Sequence, residues 1–488
     1  MFLTRTMFLF RTVFVNTTES SYESSPPTSM RTAWSVLAVV LLADVMDLVD
    51  ATVANLAGPS IRAELGGSES TLQWVLAAYT VAFGLGLVTS GRLGDLLGRR
   101  RMFLVGLAGF TVASAACGLA PSVAWLIVAR VLQGLFGSVM IPQGMALVTV
   151  AFPRDQLAKA FVPFGPVMGL AGVAGPILAG LLLKADIGDA GWRSIFLINV
   201  PLGLIAFLIA WRVLPRTAGE DSTARLDLVG VALLTVASAS LMVPLVQGRE
   251  LGWPMWCWVL LGVAAVAFLA FAWSERRSAH PVIEPTLFQR RGFVAGLVVV
   301  SGFFAALTGF TLTVNLLMQM GFHWSPLRSG LTLVPWALGT AVGSTLAGAV
   351  LAERLGRRTI QLGMGIALLG LGVLAWTLTR EVTSLSLAPA LALIGAGLGL
   401  VFVPIFSYVL GAVTDAEVGT GSGLLNAVQQ FAGAIGVAVL GSLFFSAVER
   451  SGSFVDATRL VLWVTGGLLL VSIALVWLLP KTPKDDHG

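Results

Sequence analysis

Fourteen stretches of about twenty mostly apolar residues recur along this chain, and they dictate most of what it can become. They run roughly over 33–56, 72–91, 102–120, 122–143, 160–183, 194–213, 228–246, 254–273, 293–318, 330–351, 358–378, 387–410, 424–447 and 459–479. At 1.5 Å rise per residue, about twenty residues of helix cross the ~30 Å hydrocarbon core of a bilayer. Backbone polar groups find no water there, so each such segment must satisfy its own hydrogen bonds as a helix. The expected fold class is an all-α integral membrane protein with fourteen transmembrane helices. Composition agrees: 56% of the 488 residues are hydrophobic and 11% are charged, against about 25% charged in an ordinary soluble domain.

The net charge of +5 does not indicate a nucleic-acid partner, because the basic residues lie in short loops. With the N-terminus placed inside, 21 of the 30 lysines and arginines fall on the inner side and 8 on the outer, with Arg130 inside a span. That bias orients a multi-pass protein of the cell membrane with both termini cytoplasmic. Cys117 and Cys257 each lie in an apolar span and suggest neither a disulfide framework nor a metal site. His280, His323 and His487 lie in loops or the tail, which excludes a histidine relay within the membrane.

Residues 1–32 differ from the rest. Met1–Val15 is apolar but interrupted by Arg5 and Arg11, and 16–29 is rich in Ser, Thr and Pro. A disordered tail or an over-long start, with translation beginning at Met30, is expected, ahead of a surface anchor or a signal peptide. Two related loops mark an internal repeat. Gly91-Arg-Leu-Gly-Asp95-Leu-Leu-Gly98-Arg99-Arg100 joins spans 2 and 3, and Gly348-Ala-Val-Leu-Ala-Glu353-Arg354-Leu-Gly356-Arg357-Arg358 joins spans 10 and 11. An offset of eight spans implies six-helix bundles at 33–213 and 293–479, with two extra helices in a linker at 214–292 and a tail at 480–488. Related halves commonly hold substrate at their interface.

Asp44, Asp47 and Asp50 all fall inside the first span. A carboxylate in hydrocarbon costs at least ~2.5 kcal/mol, so three in one helix are not packing accidents. At spacings of three they share an arc of about 120° and must line the bundle interior or a wet cavity, where carboxylates take up and release protons. No phosphate-binding glycine loop, catalytic triad or soluble domain accompanies them. The chain therefore reads as a transporter rather than an enzyme or sensor, driven by a proton gradient and using no cofactor. The interior Arg130 needs a carboxylate partner or water, and the span-1 aspartates are the natural candidates.

These residues together resemble the major facilitator superfamily, and within it the fourteen-span drug:proton antiporters, over about residues 33–480. Gly91, Asp95, Gly98, Arg99 and Arg100 are similar to the signature inner loop, which implies a conformational latch; Leu96 stands where the family often has a basic residue. Arg130, within Arg130-Val-Leu-Gln133-Gly134, resembles the family's proton-transfer motif. Gly165-Pro166, Gly169, Gly172, Gly175, Pro176 and Gly180 resemble the antiporter motif of span 5. Trp192-Arg193-Ser-Ile-Phe196-Leu-Ile-Asn199-Val-Pro201, Asp227-Leu-Val-Gly230 and Asp50-Ala-Thr52-Val-Ala-Asn55 resemble stretches of the fourteen-span exporters. Asp50 matches the signature acid, and Asp44 and Asp47 are additional, leaving open which aspartate carries the proton.

Polar residues within spans supply candidate substrate contacts: Asn55, Gln133, Asn199, Asn315, Gln319, Asn426, Gln429 and Gln430. Spans 9–14 contain no mid-membrane acid, which suits a neutral, monocationic or zwitterionic substrate. Most of the 14 tryptophans and 27 phenylalanines are expected to face lipid or the interface. The resemblance implies export of amphipathic drugs or antibiotics by alternating access, by a protein working as a monomer. The alternative is a dedicated exporter of one self-made metabolite, such as an antibiotic or siderophore.

Overall fold

The computed structural model describes residues 30–66, 69–153, 156–185, 190–215, 227–248, 251–278, 281–378, 382–414 and 417–480. The expectations for residues 1–29, most of the loop before span 7 and the last eight residues lie outside them. Fourteen helices of thirteen or more residues are present among the described residues: α1 Met30–Leu65, α2 Glu69–Leu97, α3 Arg99–Gly118, α4 Val123–Ala151, α5 Phe164–Ala185, α6 Asn199–Val213, α7 Leu228–Gln247, α8 Met255–Glu275, α9 Arg291–Leu316, α10 Val334–Leu346, α11 Arg358–Thr377, α12 Ser384–Gly411, α13 Val418–Ser451 and α14 Phe454–Leu475. Twelve stretches among the described residues are long and apolar enough to cross a membrane. The helices α2 and α5, of 29 and 22 residues, are the two outside that set.

The helices pack as two groups and a pair. The first group joins α1 to α4, α5 and α6, α2 to α4, and α3 to α4 and α6; the second joins α9 to α12, α13 and α14, α10 and α11 to α12, and α11 and α13 to α14. Two seams connect the groups, α2 with α13 and α5 with α10. The pair α7–α8 lies against the first seam: a methyl group added at Gly84 of α2 would meet Met242 of α7 at 3.5 Å and Gln430 of α13 at 3.6 Å. Phe268 of α8 packs edge-on to Phe431 of α13 with ring centroids 6.4 Å apart. Tryptophans such as Trp258, Trp376 and Trp463 point outward, as a lipid-facing belt requires.

Small residues set the close approaches. Gly91 lies so near α13 that a methyl there would fall 2.5 Å from the Gly419 carbonyl oxygen. The sharp reversal between α2 and α3 turns on Gly98, at φ +91°, where a β-carbon would be strained. In the related loop Gly356 also has positive φ, +54°. The two loops share a positive φ at this glycine but differ in ψ, +124° at Gly98 and −131° at Gly356.

Candidate functional site

The Asp50 carboxylate sits at the centre of the first group, 1% exposed. Its Oδ2 receives Nη1 of Arg130 at 2.5 Å. Its Oδ1 accepts from Nε2 of Gln133 at 2.8 Å and Nδ2 of Asn199 at 2.9 Å. Ser114 Oγ accepts from the same two amides at 3.2 and 3.0 Å and donates to the Phe196 carbonyl at 3.0 Å. Arg130 also donates to Gln133 Oε1 at 2.8 Å and to the Val75 carbonyl at 3.3 Å, and its guanidinium lies 4.3 Å from the centre of the Tyr79 ring. Residues from α1, α2, α3, α4 and the start of α6 therefore share one buried charge pair.

A buried pair of this kind is costly to break from one side, about 3–5 kcal/mol, because the remaining charge loses its partner. Here the Arg130 side has reserves: a carbonyl, an amide oxygen and an aromatic face remain if Asp50 is neutralised. The spacing on α4 explains the geometry, since Arg130 and Gln133 are three residues apart and share a helix face.

Asp47 lies one turn away and accepts a short hydrogen bond from the Tyr79 hydroxyl. Asp44, 9% exposed, lies a further turn along, and its Oδ1 has no hydrogen-bond partner among the described residues. Beside them α1, α5 and α6 enclose a cavity of about 70 Å³ lined by residues including Met46, Val49, Ile195 and Asn199. At the opposite end of α1 from Met30, Glu64 accepts from Trp192 Nε1 at 2.7 Å and pairs with Arg193, which fixes α1 to the start of α6. The Arg193 bond holds the Glu64 carboxyl below its usual range.

A second site lies at the other end of the bundle. Asp95, buried near the end of α2, accepts from the backbone N–H of Gly419 at 3.1 Å and of Thr420 at 2.8 Å, and from Thr420 Oγ1 at 2.9 Å. A carboxylate at the N-terminus of a 34-residue helix meets unpaired N–H groups and the positive end of the helix dipole. Arg99 Nη2 pairs with Asp95 at 3.1 Å, and Arg100 donates to the Trp211 carbonyl at 2.6 Å. Ser422 donates to the Pro142 carbonyl at 2.9 Å, and Asn426 approaches Met145 Sδ at 3.3 Å, so α4 and α13 also meet here. The related Glu353 is exposed and lies 3.8 Å from an equally exposed Lys159.

The remaining candidates separate. Gln133 and Asn199 bind Asp50. Asn426 faces α4. Asn315 bonds back onto its own helix, donating to the Thr311 carbonyl at 2.9 Å, and Gln319 is exposed beyond the end of α9. Gln429 Nε2 is buried without a partner among the described residues, and Gln430 lies against Gly84. Gly172, Pro176 and Gly180 lie on α5 with Gly175, which is buried; the surroundings of the first three, and the side chain of Asn55, lie outside the described set. On α5 the clear close contact is at Gly165, where a methyl would strike Ser344 Oγ of α10 at 1.9 Å. Sequence reasoning passed over Ser114 and Tyr79, whose only signal was a polar group inside an apolar span. It also passed over Gly419 and Thr420, since a helix N-terminus recognises through backbone amides that any residue supplies.

Comparisons with known proteins agree with this architecture. The sequence profile of the Major Facilitator Superfamily matches residues 40–437 and, in a second match, 298–488. The chain is 44% identical over 427 residues, 86% of its length and 73% of the relative's, to a probable actinorhodin transporter of Streptomyces coelicolor. It is 35% identical to a puromycin resistance protein of Streptomyces alboniger, covering 91% of both chains. It is 33% identical to the multidrug resistance protein Stp of Mycobacterium tuberculosis, over 82% of this chain and 73% of that one. Among solved structures, the human organic anion transporter MFSD10 superposes with a TM-score of 0.64 at 18% identity, covering 93% of this chain and all of that one. The proton:xylose symporter XylE superposes with the same TM-score at 13% identity, over 92% and 96%. With two helix groups, an interior charge pair and a carboxylate-capped seam now placed, the chain belongs to the Major Facilitator Superfamily, as a membrane transporter related to drug and antibiotic exporters rather than an enzyme.

Proposed function

We propose that the protein is a proton-coupled antiporter that exports amphipathic drugs or antibiotics by alternating access, with fourteen spans and both termini in the cytoplasm. The observation that carries this reading is the Asp50–Arg130 pair, a buried carboxylate of α1 bonded to α4 through Arg130 and Gln133 and to α6 through Asn199. Protonation from the outer side removes the negative charge and loosens these bonds, favouring return to the inward-open state. Substrate binding to the deprotonated inward-open form then completes the exchange. Each ligand shifts the equilibrium only by its differential affinity for the two states. A pH difference of one unit is worth about 1.4 kcal/mol per proton, which supports about tenfold accumulation.

The test is proton release from purified protein in detergent on addition of ethidium, puromycin and chloramphenicol, repeated with Asp44→Asn, Asp47→Asn and Asp50→Asn. Release by at least one drug, lost with Asp50→Asn while expression is retained, is the expected result. Undiminished release and undiminished resistance with Asp50→Asn would remove Asp50 as the carrier. A second reading, a dedicated exporter of one self-made metabolite, draws support from relatives named for actinorhodin and puromycin; it is distinguished by release with a single compound.

A further inference from the structure

The segment between α8 and α9 touches both helix groups at the Asp95 face. Glu284 pairs with Arg92 of α2 at 2.5 Å. Thr286 donates to Glu417, the residue that precedes α13. Arg290 pairs with the same Glu417 at 2.9 Å and donates to the Ala412 carbonyl at the end of α12 at 3.1 Å. Upstream, the segment is tied to the α7–α8 pair, where Glu275 accepts the N–H groups of Val282 and Ile283 at 3.1 and 3.0 Å. Val282 and Leu287 are fully buried, so the segment is packed down as well as bonded.

We infer that residues 282–290 form a strap holding the Asp95 face closed, and that Arg92 and Glu284 are positioning residues of the transport cycle. The inference rests on the alternating-access reading, which makes this face cytoplasmic. Among the described residues the hydrogen bonds between α2 and α13 are those of Asp95 with Gly419 and Thr420, so opening this face separates Arg92 from Glu417. A segment bonded to both must release one. On the α13 side it has Thr286 and Arg290 on Glu417, a further bond to Ala412, and direct continuity into α9. On the α2 side, among the described residues, it has the single Arg92–Glu284 pair, with side chains 12% and 30% exposed. The strap therefore travels with the second group, and the Arg92–Glu284 pair is the contact that parts. The same geometry gives the α7–α8 pair a task, since Glu275 anchors the strap beside the seam it closes.

A distance measurement tests this without drug or proton gradient. With Cys117 and Cys257 replaced by alanine, spin labels are placed on cysteines at Leu97 and Leu355, exposed on the Asp95-face loops of the two groups. Removing a half-buried ion pair predicts that Glu284→Gln raises the widely separated population about fivefold relative to the closed one. Arg92→Glu does the same, and the exchanged pair Arg92→Glu with Glu284→Arg restores the starting distribution. An unchanged distribution with Glu284→Gln overturns the inference. So does failure of the exchanged pair to restore closure, because loss of packing alone is not cured by swapping charges. If proton release fails while these distances shift, the antiport reading falls and the strap stands.

Discussion

Replacing Asp95 by asparagine changes few atoms and isolates the capping charge. The carboxylate takes the Gly419 and Thr420 N–H groups, the Thr420 hydroxyl and Arg99, using both oxygens. An amide offers one oxygen and turns an NH2 group towards donors. At least one charge-assisted bond, about 1.5–3 kcal/mol, is lost, together with part of the charge–dipole attraction, about 0.3–1 kcal/mol. Both belong to the closed Asp95 face only, because Asp95 and α13 lie in different helix groups. A net ~2 kcal/mol shifts the closed–open equilibrium by about 30-fold. Ser422 reports it: its hydroxyl is buried against the Pro142 carbonyl, so a cysteine there, in a background lacking Cys117 and Cys257, reacts with a maleimide only when the seam opens. The expected result is an increase of about 30-fold in the labelling rate. Gly419→Ala should act in the same direction with Asp95 intact, since its methyl would sit 2.1 Å from the carboxylate oxygen. An unchanged labelling rate in both variants would refute the reasoning that this contact holds the face shut.

Three further expectations concern stability. Gly98→Ala should lower the thermal midpoint, because φ +91° costs a residue with a β-carbon about 1–2 kcal/mol. Gly365→Ala, on α11 with open space around it, should raise it slightly, by about 0.5–1 kcal/mol of helix propensity. Asp227 caps α7 by accepting from the N–H groups of Val229 and Gly230 at 3.0 and 2.9 Å. The Gly230 N–H, and after it Ser278, hold its carboxyl below the usual range. A depressed folded pKa means stability that is present above the unfolded value of about 3.9 and lost as pH falls through the folded one. The midpoint difference between the parent and Asp227→Ala, about 1 kcal/mol for a helix cap at neutral pH, should shrink in acid; a gap that widens there would contradict the assignment.

The helices were legible in the sequence because hydrocarbon leaves a chain so few options, and the central pair because both partners carry charge. Arg130 announced a need for a carboxylate or water, and the sequence offered Asp44, Asp47 and Asp50 alike; the fold seats it on Asp50. Gln133 and Asn199, read as substrate contacts, are found bonded to Asp50, and nothing in a neutral amide's position along a helix distinguishes those roles. Ser114 was silent for the same reason. The Asp95 loop was readable as a motif, but its partner was not, since Gly419 and Thr420 contribute mainly backbone. The Glu284 contact was harder still, because it joins residues 192 apart through a loop whose charges already had an explanation in topology.

The two seams differ in what holds them. At the α2–α13 seam the bonds are charged and directional: Asp95 on the α13 amides, and beside it Arg92 on Glu284 of the strap. Between α5 and α10, among the described residues, small side chains such as Gly165, Thr340 and Ser344 meet in close contact, with only the exposed Lys159–Glu353 pair near one end. A surface without charge tolerates sliding, whereas one built on ion pairs holds until it lets go. The molecule is bound like a book, with a spine along α5 and α10 and a clasp at α2 and α13. Salt screens exposed charges far more than buried ones, so it weakens the Lys159–Glu353 pair at the end of the spine and leaves the buried Asp95 clasp largely intact.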